Sequence, residues 1–500
     1  MRAELRHALR PIAALATLAL VSSCGVTRTL SRPEGNGGWT AEKRRDELAQ
    51  RAKLAGVSFP AADSAGSAPP SAKAPAVASN VPLTLADALA LAATGNRRIA
   101  ESAKQVERAR EQVWNTRGRL LPSTTASGRY TWYTDPLTNE VVVPGGIPGG
   151  GTASVTIRED EAATLNATVT LPFDLSGELR SALAAAQAGY RGEVARRWST
   201  ILAAEVDVVS AYLDLLQAER LREVTEQTIA AERRQLQSAE ARYTGGRTTK
   251  NDLLVVQVRL LGTEQRLLSE DLLVARSRWA LNQAVGLPVD APTTVVDVTD
   301  APRLPTIEDA LATTFEENPL IVGLLEEQQR LESTVASLER SRLPRFAGAG
   351  AMDWTSSDVV EPQDVGSALV GFTWDLGTDW RRESDIAAAK AASKQNEIVI
   401  EREMRALEAG VRLASLAVEE RLAALAAARA SISQAEENLR IREQQFDVGR
   451  ATSDDVLEAV TLLARERAIA ATALYQAHAR AAELHQLMGT SLDAAIGGGQ

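Results

Sequence analysis

The sequence predicts a mostly helical protein with four β-strands, built as two tandem copies of one structural unit. Three observations predict it. First, Thr84-Leu85-Ala86-Asp87-Ala88-Leu89 recurs as Thr306-Ile307-Glu308-Asp309-Ala310-Leu311. The same spacing, 222 residues (306 against 84), relates Asn96 to Asn318, Leu121-Pro122 to Leu343-Pro344, Gly128 to Gly350 and Trp132 to Trp354. Second, only 4% of the 500 residues are aromatic while 45% are hydrophobic, mostly Ala, Leu and Val. Such side chains, with Glu, Arg and Gln, lose little freedom in a helix. Third, segments in both copies alternate apolar and polar residues with the period of two that belongs to a strand.

The chain opens on a targeting segment. Arg2, Arg6 and Arg10 precede an apolar stretch from Ile12 to Val21 that is too short to span a bilayer. Val21-Ser22-Ser23-Cys24 follows, and an apolar residue three places before a cysteine, with small residues between, resembles the lipobox of bacterial lipoproteins. That resemblance implies a signal peptide over 1–23 and acylation of Cys24, the only cysteine of the chain. Gly25 rather than Asp follows it, which by the same resemblance sorts the anchor to the outer membrane. A plain secretory signal with an incidental cysteine is the alternative. Residues 24–82 form an N-terminal extension; its stretch 60–80 is rich in Ala, Ser, Pro and Gly, buries too little apolar surface to order itself, and reads as a flexible tether.

The first copy spans 83–290 and the second 306–493, with an inter-repeat linker at 291–305 and a tail at 494–500. Each reads as helix, strand, loop, strand, long helix, Gly-Arg turn, helix. Strands are expected at about 123–134, 162–174, 345–355 and 366–376. Leu165, Ala167, Val169, Leu171 and Phe173 oppose Thr164, Asn166, Thr168 and Thr170; Ala368, Val370, Phe372 and Trp374 oppose Ser367, Gly371 and Thr373, with Leu369 out of pattern. Tyr130, Trp132, Phe346, Met352 and Trp354 extend the pattern to the other two strands. Aromatic residues near strand ends suit the girdles of a membrane barrel, which makes Tyr130, Trp132, Trp354 and Trp374 the candidate girdle. Alternation by itself does not separate a lipid-facing face from one that covers a soluble core.

Asp174-Leu175 meets Asp375-Leu376 at a spacing of 201 rather than 222, so the first copy carries 21 extra residues, among Asp135 to Asp160. These include the glycine-rich run 144–151. A phosphate cradle joins a strand to a helix N-terminus, and this run joins two alternating segments, so an exposed hairpin loop is expected.

The helices read as long packed rods. Leu407, Val411, Ala414, Val418, Leu422, Leu425, Ala428 and Ile432 step by three or four, as do Val194, Trp198 and Ile201, then Val208, Tyr212 and Leu215. No proline interrupts Gly177 to Tyr243, and roughly 65 residues at 1.5 Å each make a rod on the order of 100 Å. After it, Tyr243-Thr244-Gly245-Gly246-Arg247-Thr248-Thr249-Lys250-Asn251-Asp252-Leu253-Leu254 matches Phe446-Asp447-Val448-Gly449-Arg450-Ala451-Thr452-Ser453-Asp454-Asp455-Val456-Leu457. Four strands cannot close a barrel, and an open edge in lipid leaves backbone groups unpaired at several kcal/mol each. If the strands enter lipid, the chain must oligomerise.

Over about 82–493 these features resemble the TolC-like outer-membrane efflux protein family, in its lipoprotein, NodT-like form. The resemblance rests on the duplicated Thr-[Leu/Ile]-x-Asp-Ala-Leu start, the Leu-Pro before the strands, and the paired Gly-Arg turns. It implies a homotrimer closing as a 12-stranded barrel, a coiled-coil tunnel across the periplasm, and docking onto an inner-membrane pump through a periplasmic adaptor protein. It also implies an acidic periplasmic aperture just past the turns, where Asp252, Asp455 and, one helical turn further, Glu458 fall. Asp252 and Asp455 equally suit helix N-termini, where the dipole favours acids. Gly246 and Gly449 supply φ > 0, while Arg247 and Arg450 pair with these carboxylates or contact the adaptor. The first copy has Lys250-Asn251 where the second has Ser453-Asp454, so the acidic ring is uneven.

Other function classes fit less well. The formal charge of −10 gives no general grip on nucleic acid. Of three histidines, His7 lies in the signal, and His478 and His485 are about two turns apart on one helix, too far to share a zinc. No Gly-x-Ser-x-Gly elbow is present, and Glu316-Glu317 and Glu419-Glu420 sit on solvated helix faces. No enzyme and no cofactor beyond a lipid on Cys24 are therefore expected. A lipid-anchored coiled-coil scaffold of the envelope is the alternative, with a type I protein secretion duct the alternative within the channel class.

Overall fold

The computed structural model describes residues 82–142, 152–376 and 380–492. The signal, Cys24, nearly all of the extension, the glycine run and the tail lie outside the described residues. The first copy folds as α1 (Leu85–Gly95), α2 (Arg97–Gly118), β1 (Ser123–Trp132), β2 (Leu137–Val142), β3 (Thr152–Arg158), β4 (Glu161–Phe173), α3 (Glu178–Thr244) and α4 (Lys250–Val285). The second folds as α5 (Ile307–Glu317), α6 (Pro319–Arg340), β5 (Arg345–Thr355), β6 (Asp364–Thr373), α7 (Trp380–Asp447) and α8 (Ser453–Met488). The long rods are real: α3 and α7 run unbroken for 67 and 68 residues.

The duplication reaches individual hydrogen bonds. Thr84 and Thr306 cap α1 and α5 by accepting the Asp87 and Asp309 N–H groups, each at 3.1 Å. Asn96 donates through Nδ2 to the Ala284 carbonyl at 3.0 Å and accepts the Arg98 N–H at 2.9 Å; Asn318 donates to the Leu487 carbonyl at 2.7 Å and accepts the Leu320 N–H at 2.8 Å. Each asparagine thus starts its second helix and ties it to the last turn of α4 or α8. Gly286 and Gly489 close those last turns in the left-handed region, at φ 90° and 80°.

The described residues fall into two compact units. One, Arg108–Tyr190 with Glu326–Asn396, holds the sheet. Its order is β1-β4-β5-β6, antiparallel throughout. Cross-strand partners share a face, so Tyr130↔Ala163, Gly128↔Leu165, Leu165↔Trp354, Phe173↔Phe346, Phe346↔Phe372 and Gly348↔Val370 gather the aromatic and most of the larger apolar residues of the four strands on one side, with Val365 and Leu369 of β6 the exceptions. Ser127, Thr125, Asn166, Thr168, Asp353 and Ser367 take the other, where Asn166 donates to Asp353 at 2.6 Å. Two details differ from expectation. Trp374 lies one residue past β6, where its indole N–H donates to the Arg342 carbonyl at 3.0 Å. The extra residues of the first copy are not a bare loop: β2 and β3 pair as a second sheet.

The other unit comprises 82–107, Arg191–Leu325 and 397–492. Leu407, Val411, Val418, Leu425 and Ala428 of the predicted seam are buried, as are Val208, Tyr212 and Leu215. Residues 291–305 are more than a linker here. Leu83 forms a parallel bridge with Val295, donating to the Thr294 carbonyl at 2.8 Å and accepting the Val296 N–H at 3.1 Å. Tyr212, fully buried, seals that join: its hydroxyl donates to the Val296 carbonyl at 2.7 Å, accepts the Val296 N–H at 3.0 Å and sits 2.9 Å from the Leu83 carbonyl. Burial raises its pKa to about 12, so the hydroxyl keeps its proton at neutral pH. Tyr212→Phe leaves these groups short of a partner and is expected to cost about 1–3 kcal/mol. A chemical denaturation midpoint unchanged from the parent chain would contradict this role.

Candidate functional site

The paired turns are built from matched parts. After α3, the Arg247 N–H returns to the Arg242 carbonyl at 2.8 Å and the Gly246 N–H to Tyr243 at 2.9 Å; after α7, Arg450 returns to Gln445 at 2.8 Å and Gly449 to Phe446 at 3.0 Å. Gly246 and Gly449 have φ of 70° and 78°, which explains glycine at both places.

Asp252 and Asp455 are each the third residue of the next helix and each close a capping box. Asp252 Oδ2 accepts from the Thr248 hydroxyl at 2.7 Å, the Thr249 hydroxyl at 2.9 Å and the Thr249 N–H at 3.2 Å. Asp455 Oδ2 accepts the Thr452 N–H at 2.8 Å and hydroxyl at 2.7 Å. These bonds hold both carboxyls below the usual aspartate range, the Thr248 hydroxyl contributing most at Asp252 and the Thr452 N–H at Asp455. Both residues are therefore ionised caps at the mouth of a turn. Glu458 lies exposed one turn on, and the side chains of Arg247 and Arg450 are exposed as well. The guanidinium that approaches Asp455 is that of Arg442, at 3.9 Å, rather than that of Arg450.

Other residues near the turns join the first copy to the second. The Arg242 guanidinium lies 3.7 Å over the Phe446 ring and 3.7 Å from Asp447, linking the ends of α3 and α7. Arg259 of α4 donates to the Thr461 hydroxyl at 3.0 Å and lies 3.6 Å from Asp454 of α8. Sequence comparison of the copies passes over these residues because they are not duplicated. Further along the same four helices is a cavity of about 740 Å³ lined by Arg259, Arg266, Arg421 and Arg465, with Glu232 in its wall. Burial raises the Glu232 pKa, and the Thr263 hydroxyl donates to it at 3.1 Å.

In the sheet unit the register assembles aromatic residues at both strand ends. Tyr130, Trp132 and Trp354 stand where β1 and β5 finish; Phe173, Phe346 and Phe372 stand at the helix end, the last two with ring centroids 5.8 Å apart. Tyr130 and Trp132 are each 66% exposed and Phe372 64%, so this apolar face is uncovered within the chain. Uncovered apolar area of this extent requires a partner or lipid. Among the described residues no helix is long and apolar enough to cross a membrane, and no group of three or more His, Cys, Asp or Glu is gathered as metal ligands.

Residues 88–287 and 311–490 match the family of outer membrane efflux proteins, one match on each copy. The chain belongs to the outer membrane efflux protein family. It is an efflux channel protein of the outer membrane. The fold agrees with solved channels. CusC superposes with a TM-score of 0.70 at 14% identity, over 81% of this chain and 92% of that one. The CmeC outer membrane channel of Campylobacter jejuni gives 0.69 at 15% identity, over 81% and 85%. The outer membrane protein VceC of Vibrio cholerae gives 0.68 at 16%, over 81% and 96%. No functionally curated protein matches the chain.

Proposed function

We propose that this efflux protein is a passive duct, closed as a 12-stranded barrel by three copies of its four-stranded sheet and anchored by a lipid on Cys24, which receives substrate from an inner-membrane pump through a periplasmic adaptor. The observation that carries the reading is the single apolar face, continuous across β1, β4, β5 and β6, set against a polar face bearing Asn166 and Asp353. An envelope scaffold has no use for such a face, whereas a barrel needs lipid outside and water within. Transport here is passage rather than chemistry. The paired turns form the aperture, with Asp252, Asp455 and Glu458 lining it, and exposed Arg247 and Arg450 beside Gly246 and Gly449 present the adaptor contact.

Rings of carboxylates attract cations at a constriction. The double variant Asp252→Asn with Asp455→Asn keeps a capping oxygen at both positions while removing the charges. It is expected to weaken cation preference in planar bilayers and to leave the trimer intact. The pH dependence follows from the depressed aspartate values: in the parent chain both charges persist as pH falls into the ordinary aspartate range, and the preference fades only below it. Ion selectivity identical in parent and variant would remove these aspartates from the aperture.

A further inference from the structure

Where the first copy carries its 21 extra residues, the described residues form β2 and β3, a strand pair that barrel closure does not use. β1, with ten residues, is already as long as a tilted strand needs to be to cross hydrocarbon, so β2 and β3 stand beyond it, past Trp132 and Glu161. Their pairing sets Val141 and Val155, with Asn139 between them, on one face and Thr138, Glu140, Ser154 and Thr156 on the other; at the register shift that follows, Leu137 stands opposite Arg158 and Ile157 has no cross-strand partner. The four apolar side chains are 48–49% exposed. At the base, the Tyr133 N–H donates to the Asp160 carbonyl at 2.6 Å and the Asp358 N–H to Glu159 at 3.3 Å.

A matching surface lies at the same end of the sheet. The loop between β5 and β6 bares Val359 and Val360, 37% and 50% exposed. The strand order leaves β1 and β6 as the two edges, so closing the trimer sets β1 of one copy beside β6 of the next. The hairpin that grows from β1 and the loop that leads into β6 then become neighbours across each seam. We propose that the apolar face of the β2–β3 hairpin docks on Val359 and Val360 of the neighbouring copy, latching each seam at the outer mouth of the channel. The proposal rests on closure of the trimer through β1 and β6 and continues that interface outward; one hairpin per chain supplies one latch per seam.

Cysteine pairing tests it, since Cys24 is the only native cysteine. Full-length protein carrying Val155→Cys with Val360→Cys is oxidised in detergent and run without reductant, its mass having been measured first. Covalent dimers and trimers from the double variant, and from neither single variant, are expected. Cross-linking of Val155→Cys alone would bring the hairpins together on the three-fold axis and overturn the proposal. So would a trimer without inter-chain cross-links, or a cross-link confined to one chain. A monomeric mass would overturn both the latch and the closure beneath it. Independently, Val141→Asp with Val155→Asp is expected to lower the temperature at which the trimer dissociates, while Ser154→Asp with Thr156→Asp on the opposite face is not; equal shifts would contradict the docked face.

Discussion

Alanine at Gly286 or Gly489 is expected to cost far more stability than alanine at Gly246 or Gly449, although all four glycines have positive φ. The left-handed backbone alone costs a residue with a Cβ roughly 1–2 kcal/mol. At Gly246 and Gly449 the added carbon meets nothing within 4 Å, so that cost stands by itself. At Gly286 it falls 2.4 Å from the Gly95 carbonyl oxygen, and at Gly489 it falls 2.7 Å from both Asn318 Cα and the Glu317 carbonyl oxygen. Those are backbone atoms and cannot rotate aside, so overpacking adds about 1–3 kcal/mol. The sum at the two inner positions is about 2–5 kcal/mol. The joints they serve are the ones held by Asn96 and Asn318, so both copies should respond alike. Chemical denaturation of the four single variants is the check; equal losses at all four would show that the helix-end crossings do not pack as described.

Arg242→Ala combined with Arg259→Ala is expected to raise the resting conductance by roughly tenfold or more. A guanidinium over an aromatic ring contributes about 0.5–2 kcal/mol, more where the ring is buried, as Phe446 is. Surface ion pairs as open as Arg242 with Asp447 and Arg259 with Asp454 contribute about 0–1 kcal/mol each. These ties are weak one by one, but they recur in each copy of a trimer, and about 1.4 kcal/mol shifts a population tenfold. Because they connect α3 to α7 and α4 to α8, they hold the two helical hairpins of one chain together beside the turns. Arg247→Ala with Arg450→Ala is the matched control: those side chains are exposed and the structure does not pair Arg450 with Asp455, so resting conductance should not change. If the control opened the channel and the first variant did not, the ties would have been assigned to the wrong arginines.

What the sequence revealed follows from the duplication. A motif that appears twice at one spacing exposes its own constraints, and Thr84, Asn96, Gly286 and Thr249 each proved to make the same bond as its counterpart. The alternation in β4 and β6 likewise fixed which face is apolar, because strand geometry leaves only two choices. Features without a second copy were out of reach. The positions equivalent to Arg242 and Arg259 are Gln445 and Leu462, so the ties between the copies left no repeated trace. Leu83, Val295 and Tyr212 meet through tertiary packing, and nothing in the 291–305 segment marks it as half of a bridge. Of the two alternatives for Arg450, a carboxylate pair or an adaptor contact, the structure does not form the first with Asp455, for a local reason: Asp455 Oδ2 is engaged by Thr452 of its own helix start, and Arg442 faces the remaining oxygen. The hairpin was read as a loop because its strands are short and surround a glycine run.

Closure of one conducting barrel by three copies is decided by the mass of the detergent-extracted protein together with the planar-bilayer conductance of the same sample. A trimer that forms discrete, cation-preferring channels is the predicted result. A monomer, or a trimer that fails to conduct even with Arg242 and Arg259 replaced, would contradict it and leave the four-stranded sheet serving an envelope scaffold.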